Sequence, residues 1–302
     1  MSHSINYDSS INKFVATVNG QVVARTKNLA RAERAVRRLG ITKVEFEDQA
    51  VAVQQTNSRF GINTRFEFVE KLVDMVCAGV QPSAVITGEG GLGKTYTVTK
   101  TLQKNGYADI TDLADFQTGA LINTRKCYTT VKGYSTAKGL YRTLFENNKA
   151  VIVFDDCDSI LKDPTALNIL KGALDSYGKR VISWNADMRG DDLPRSFNFE
   201  GRVIFISNMD QNNIDQAIRS RSMMIDLSMT ADQKIERMES IMKSDSFLPE
   251  YDIKVKEDAL NLIRELKDTA KEISLRTLIS VCKIRAVNDD WEDLAEYTLT
   301  SN

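Results

Sequence analysis

Three groups of residues in this chain have types and spacings that could do chemistry together. The first is GEGGLGKT, Gly88 to Thr95. Glycines at this spacing let successive backbone N–H groups converge on one anion, and the positive end of a following helix adds to the attraction. Gly88, Gly93, Lys94 and Thr95 match the Walker A pattern of a nucleoside triphosphate cradle. In that pattern Lys94 reaches the β- and γ-phosphates and the Thr95 hydroxyl is a Mg²⁺ ligand. Glu89, Gly90, Gly91 and Leu92 inside the loop, and Tyr96 just after it, complete the expected nucleotide contacts. The second group ends the apolar run AVIVFDD, where Asp155 is placed to hold Mg²⁺ and Asp156 to act as general base on an attacking water. A surface acidic cluster is the plainer alternative, since Asp158 follows. The third group is polar residues farther on: Asn208 after RVIFIS, then Arg219 and Arg221 in IDQAIRSR, and Arg276 in SLRTL.

Those groups need a scaffold, and the hydrophobic pattern supplies one. AVITG leads into the glycine loop, and a helix from Thr95 to Lys104 leaves it. CYTTV, AVIVF, RVIFISN and MMIDL are short apolar, β-rich runs. They alternate with the helical stretches STAKGLYRTLFENN, TALNILKGALDS and IDQAIRS. Strands alternating with helices predict an α/β domain, a parallel sheet with helices on both faces, over residues 64–229. Thr64 and Glu67 are spaced as a capping box for a helix, RFEFVEKLVDMVCAG, that precedes the sheet. From 230 to 302 the pattern is wholly helical and predicts an all-helical lid. Residues 1–48 read as a small ββαβ module. KFVATVNGQVVART folds back at Asn19-Gly20, NLARAERAVRRL is a helix, and TKVEFED is a third strand. A linker is expected at 49–63.

Composition excludes several classes. The net charge is −1, so the whole chain is no polycation. Residues 1–44, however, carry eight Lys and Arg against Asp8 and Glu33. His3 is the only histidine, and Cys77, Cys127, Cys157 and Cys282 are scattered without a C-x-x-C pair, which disfavours zinc and disulfide frameworks. No apolar run approaches the roughly 20 residues of a membrane span. A cytoplasmic protein is expected.

Taken in order, GEGGLGKT, IVFDD, RVIFISN, IDQAIRSR and SLRTL resemble the AAA+ ATPases, a resemblance spanning roughly residues 60–300. LYRTLFENNKAVIVFDDCDSIL, NILKGALDS and RVISW look like AAA ATPases encoded by tailed bacteriophages. The resemblance implies a P-loop NTPase fold, ATP and Mg²⁺ as cofactors, and ATP hydrolysis. It makes Asn208 sensor 1, Arg276 sensor 2 of the lid, and Arg219 or Arg221 the arginine finger, with Arg221 preferred for its place before the last strand. Each has a structural alternative: a strand-end turn for Asn208, a salt bridge or a solvated helix face for the arginines. Because a finger acts on the neighbour's nucleotide, the resemblance implies a homo-oligomer, a hexameric ring or spiral. The chain departs from the family in having Asp-Asp where Asp-Glu is usual, so Asp156 is one methylene short.

What such a ring would grip stays open at this stage. Lys132-Gly133-Tyr134 falls where the family places a pore loop, or is a surface turn. The segment 180–201 is either an inserted β-hairpin or a plain surface excursion. The basic helix face of Arg31, Arg34 and Arg38 either touches nucleic acid or is simply solvated. Three functions fit: a motor or remodeller acting on DNA or protein, an ATP-gated switch that assembles on DNA and recruits another protein, and a small-molecule kinase.

Overall fold

The computed structural model describes residues 3–8, 13–19, 21–26, 36, 58–112, 125–176, 178–185 and 192–301. The chain divides into two compact units, Met1–Asn57 and Ser58–Asn302.

In the first unit β1 (His3–Asp8), β2 (Lys13–Val18) and β3 (Gln21–Thr26) form an antiparallel sheet with β2 in the centre. Val18 pairs with Gln21, and Asn19, which follows β2, has the positive φ of 51° that a two-residue hairpin turn requires. Strand β1 was not expected from sequence. HSINYD is polar, and Ile5 is the residue through which it enters the small core with Ala16, Val18 and Val36. Val36 is helical and fully buried, as the expected helix requires. The strand expected at TKVEFED, the basic face of Arg31, Arg34 and Arg38, and residues 49–57 of the expected linker lie outside the described residues.

The second unit is built on a six-stranded parallel sheet of order β11-β4-β10-β7-β6-β5. Its strands are β4 (Ser83–Thr87), β5 (Ala108–Asp109), β6 (Cys127–Lys132), β7 (Val151–Asp155), β10 (Arg202–Ile206) and β11 (Met223–Asp226). The three central strands send alternate residues to opposite faces. Ala84, Ile86, Val151, Val153, Ile204 and Ile206 join one core. Val85, Ile152, Phe154, Val203 and Phe205 join the other. Helices α1 (Ile62–Cys77) and α2 (Lys94–Lys104) pack on the first face. Helices α3 (Ala137–Glu146), α4 (Asp158–Lys162), α5 (Pro164–Ala173) and α6 (Gln216–Arg221) cover the second. The mixed α/β fold with helices on both faces of a parallel sheet is therefore present.

One local expectation is corrected, and one pair of alternatives is decided. Helix α1 starts at Ile62 with Gly61 as its N-cap, so Thr64 and Glu67 lie inside it and form no capping box. Ile62 is fully buried with Phe66 and Val69, extending the apolar stripe one turn earlier. Burying such a side chain contributes about 1.5–3 kcal/mol against about 1 for a cap, so the stripe decides the start. The segment 180–201 contains a short antiparallel hairpin, β8 (Val181–Ser183) with β9 (Ser196–Asn198). It lies against α3: the Tyr141 ring sits 5.2 Å from Phe197 and 5.7 Å from Trp184, and Tyr141 Oη donates to Pro194 O at 2.8 Å.

The C-terminal residues form α7 (Ala231–Met242), α8 (Ile253–Glu265), α9 (Leu275–Val287) and α10 (Trp291–Ser301). Capping boxes Thr230/Gln233 and Ser274/Thr277 start α7 and α9. These helices share the apolar core of α1 and α2. Among the described residues no helix is long and apolar enough to cross a membrane. All four cysteines are free and buried.

Arg65, almost fully buried in α1, ties the sheet to the helical region. Its guanidinium donates to the carbonyls of Asp226 (3.1 Å) and Ser228 (2.9 Å) and to Gln233 Oε1 (3.2 Å). Arg65→Met keeps the aliphatic packing but strips those acceptors of their donor. It should lower stability in urea by about 2–3 kcal/mol, whereas a change below about 0.5 would mean the bonds contribute nothing.

Candidate functional site

The glycine loop connects β4 to α2, and its backbone explains its composition. Gly88 has φ 126°, and a Cβ there would lie 2.7 Å from the backbone carbon of Leu227. Gly91 (φ 76°) and Gly93 (φ 93°, the N-cap of α2) also adopt left-handed conformations. Helix α2 starts at Lys94, so the first-turn N–H groups face the loop without partners inside the helix. The Lys94 side chain turns back under the loop. Its Nζ donates to Gly88 O at 2.6 Å, Glu89 O at 2.7 Å and Asn208 Oδ1 at 2.9 Å. Burial pushes its pKa below the ordinary lysine value, an effect opposed by Asp156, Asp155 and Glu89.

The two acids stand at the end of β7, two strands away from β4 in the sheet. Asp155 is buried; its Oδ1 accepts from Thr95 Oγ1 at 3.0 Å, and its Oδ2 lies 3.7 Å from Lys132 Nζ. Asp156 has φ 55°, and its N–H donates to Ile206 O at 3.0 Å, across to the end of β10. Its carboxylate accepts from Asn208 Nδ2 at 2.8 Å. Partial burial first, then the Asp155 carboxylate, raises the Asp156 pKa above the ordinary value, although the residue opens onto the cavity. Asp158 is held elsewhere, accepting from Ser207 Oγ at 2.6 Å.

Asn208 sits between these parts because β10 lies between β4 and β7. Its amide orientation follows from chemistry: an ammonium only donates and a carboxylate only accepts, so Oδ1 faces Lys94 and Nδ2 faces Asp156. One amide thus spans the cation of the loop and the acid of the next strand but one.

The structure brings most of the expected residues into one cavity of about 420 Å³. Gly90, Gly91, Gly93, Lys94 and Thr95 line it on one side, Asp155, Asp156 and Asn208 on another, and Arg276 from the first turn of α9. Gly88 and Glu89 contribute carbonyls to Lys94, while the Glu89 carboxylate pairs with Lys234 of α7. Leu92 is fully buried and adds no side chain to the cavity. Tyr96 faces a second cavity of about 560 Å³ that also touches Gly93, Arg237, Ile241, Phe247 and Leu275. Sequence spacing gave no sign of that second cavity, because its far wall comes from the helical region.

Neither finger candidate lines the cavity. Arg221, the one preferred from sequence, folds inward: Nη1 donates to Ala217 O at 3.1 Å, and Nε is buried with no hydrogen-bond partner. Arg219 is exposed on the same helix. Lys132 was noted in the sequence only as part of a loop, yet it enters the cavity beside Asp155.

An oxygen-only pair, the Thr95 hydroxyl and the Asp155 carboxylate, suits a hard divalent cation such as Mg²⁺. The left-handed glycines suit a loop whose N–H groups turn toward an anion, and no side chain replaces them, since a Cβ at Gly88 would collide with Leu227 and one at Gly91 with Ser274. Among the described residues no three His, Cys, Asp or Glu side chains converge to hold a metal by themselves.

No family model matches the chain. The chain is similar to a protein of Enterobacteria phage T4 named as an uncharacterized 36.7 kDa protein in the nrdC-mobD intergenic region. The two are 27% identical over 256 residues, which cover 78% of this chain and 73% of the phage protein. That relative is a bacteriophage protein, in keeping with the phage side of the resemblance, and its name gives no activity.

Proposed function

We propose that this chain is a Mg-ATP-binding and -hydrolysing ATPase of the AAA+ type, a homo-oligomer that works as a motor or remodeller on DNA or protein. The observation that carries the reading is Asn208, which bonds Lys94 and Asp156 at once inside the cavity where Thr95 meets Asp155. Lys94 and the first-turn amides of α2 hold the triphosphate. The base and ribose fit the adjoining cavity beside Tyr96, Ile241 and Leu275. Thr95 and Asp155 hold Mg²⁺, which when bound neutralises phosphate charge and polarises the transferring phosphoryl group. Asp156 accepts the proton of the attacking water, and Asn208 keeps that carboxylate and Lys94 in register. Arg276 reaches the cavity from the lid, and Arg219 of a neighbouring subunit is the better-placed finger because Arg221 is bonded to its own helix.

A second reading, an ATP-gated assembly switch on DNA, is favoured by one feature. Asp156 has the short side chain, and it is pinned by its backbone bond to Ile206 and its side-chain bond to Asn208. A base held back in this way suits slow turnover. Phosphate release with and without DNA, together with electron microscopy of the assembly in an ATP analogue, separates a processive ring from a filament.

Lys94→Ala should weaken ATP binding roughly 10- to 150-fold, the loss of hydrogen bonds to a charged donor. Unchanged affinity by calorimetry would sink the assignment of the loop. Asp156→Asn should keep ATP affinity while slowing hydrolysis about 10²- to 10⁴-fold.

The same variant has a stability signature. Because the folded Asp156 pKa is raised, the native state binds this proton more readily than the unfolded chain. The resulting penalty is absent below the unfolded value of 3.8, grows as pH rises through the folded pKa, and is complete at neutral pH. Asp156→Asn removes it, so its melting temperature should match or exceed the parent's at pH 7 and the gap should close on acidification. A gap that widens on acidification would contradict the raised pKa.

Arg219→Ala should lose about 10³-fold in kcat and regain some activity when mixed with Lys94→Ala subunits. Failure of rescue at every mixing ratio would remove Arg219 as a finger acting in trans.

A further inference from the structure

Lys132 ends β6 and pairs with Asp155, a contact with no place in the reading above. The Nζ–Oδ2 separation of 3.7 Å is longer than a charge-assisted hydrogen bond, and the lysine side chain is 68% exposed against 10% for the aspartate. This is an ion pair without a tight bond, at the mouth of the cavity, on the carboxylate oxygen that Thr95 does not use.

The chain around Lys132 is fastened on both sides of it to the segment that follows Asp155. Cys157 Sγ donates to Val131 O at 3.2 Å. Ser135 N donates to Ser159 Oγ at 3.2 Å, and Ser159 Oγ donates back to Ser135 O at 3.2 Å. Between those fasteners lie Lys132, Gly133 and Tyr134. Gly133 has φ 84° with open space where a Cβ would be, and Tyr134 is 83% exposed. The Lys132 backbone is held in the sheet beside Asp155 and Gly133 lines the cavity, so the Lys132–Asp155 ion pair is a side-chain tie laid over a backbone already in place, and the exposed Tyr134 follows it directly.

We propose that Lys132 is a built-in stand-in for the divalent cation at Asp155. Binding of the cation with nucleotide displaces the Lys132 side chain and frees the Gly133-Tyr134 turn that follows it, so that the exposed Tyr134 side chain carries the nucleotide state to the protein surface. The inference rests on the nucleotide reading above and deepens it. The physical reason is exclusion. Asp155 is buried beside Asp156, so a cation-free site gains from a compensating positive charge. A divalent ion on the same carboxylate supplies twice that charge, repels the lysine, and leaves the ammonium better hydrated in solvent. Exposed ion pairs are weak, so the lysine yields rather than blocks.

Lys132→Met keeps the stem and removes the charge, at an exposed position where folding is not at stake. Affinity of the full-length chain for a fluorescent ADP analogue is measured across a Mg²⁺ titration and in EDTA. The expected result is a Mg²⁺ midpoint about two- to fivefold lower in the variant, the range of an exposed ion pair. In EDTA the affinity should be unchanged or slightly weaker, because Asp155 then faces the phosphates uncompensated. A Tyr134→Trp reporter should change emission with ADP and Mg²⁺ but not with ADP and EDTA. Adding Lys132→Met should leave that emission at the Mg²⁺ value throughout.

An unchanged or higher midpoint, or an equal loss of affinity with and without Mg²⁺, would make Lys132 a bystander or a phosphate ligand and overturn the proposal. A reporter blind to Mg²⁺ would overturn the freeing of the turn. Absence of ADP binding under every condition would overturn this inference together with the nucleotide reading. Binding with a midpoint indifferent to Lys132 would overturn this inference alone.

Discussion

The Lys94 ammonium is nearly sealed from solvent, and it is held by two carbonyls of its own loop and by one side-chain oxygen from another strand. A buried cation without acceptors costs several kcal/mol, so each of those three oxygens constrains the structure around it. The carbonyls of Gly88 and Glu89 turn inward where Gly88 takes a backbone conformation that an L side chain rarely adopts. Gly88 in turn packs against Leu227, which donates its N–H to Thr87 O at 2.9 Å and so fixes the end of β11 beside β4. The third oxygen belongs to Asn208, which is available because β10 is inserted between β4 and β7. Loop, edge strand and strand order therefore answer to one charged group.

The same loop also depends on the helical region. Leu275 donates its N–H to Gly91 O at 2.8 Å, the Glu89 carboxylate pairs with Lys234, and a Cβ on Gly91 would lie 2.9 Å from Ser274 Cβ. Arg65 reaches from α1 to the end of β11 and to the Gln233 of the α7 capping box. Beneath these polar ties, α7 to α9 bury Met238, Leu260, Leu278 and Val281 in the core that also holds Ile86 and Leu102. A shared apolar core means that moving the helical region relative to the loop exposes hydrophobic surface, a cost of roughly 25 cal/mol per Å². In the proposed reading, nucleotide in the adjoining cavity replaces part of that contact, and the cavity walls are where its binding energy can act on the helices.

The motif residues and five of the six parallel strands were legible in the sequence because both are local; the two-residue strand β5, with no apolar run of its own, was not. The glycine spacing, the paired acids and the unbroken β-branched runs each sit within a few residues of one another. The parallel fold follows from their alternation with helices. What was not legible depends on residues far apart. Strand β1 is set by one buried isoleucine in a polar stretch. The start of α1 is set by burial of Ile62 rather than by its Thr64/Glu67 signal. Inward folding of Arg221 depends on the α6 carbonyl of Ala217, a contact that its place before the last strand does not reveal. The entry of Lys132 into the cavity follows from β6 lying beside β7, in a register that pairs Lys132 with Asp155.

That register also bears on the shorter acid at position 156. The backbone of Asp156 is left-handed and bonded to Ile206, which brings its carboxylate within 2.8 Å of the Asn208 amide. A glutamate on the same backbone would carry its carboxylate one methylene farther, past the amide that now holds it. The short side chain and the asparagine thus form a matched pair, with Asn208 bridging the gap back to Lys94. Asp155 is then left to the Thr95 hydroxyl and, from the other side, to Lys132. The two adjacent carboxylates are separated by their partners: Asp156 is joined to Lys94 through the Asn208 amide, while Asp155 meets the Thr95 hydroxyl on one oxygen and Lys132 on the other. A division of labour between neighbouring acids needs such unequal surroundings.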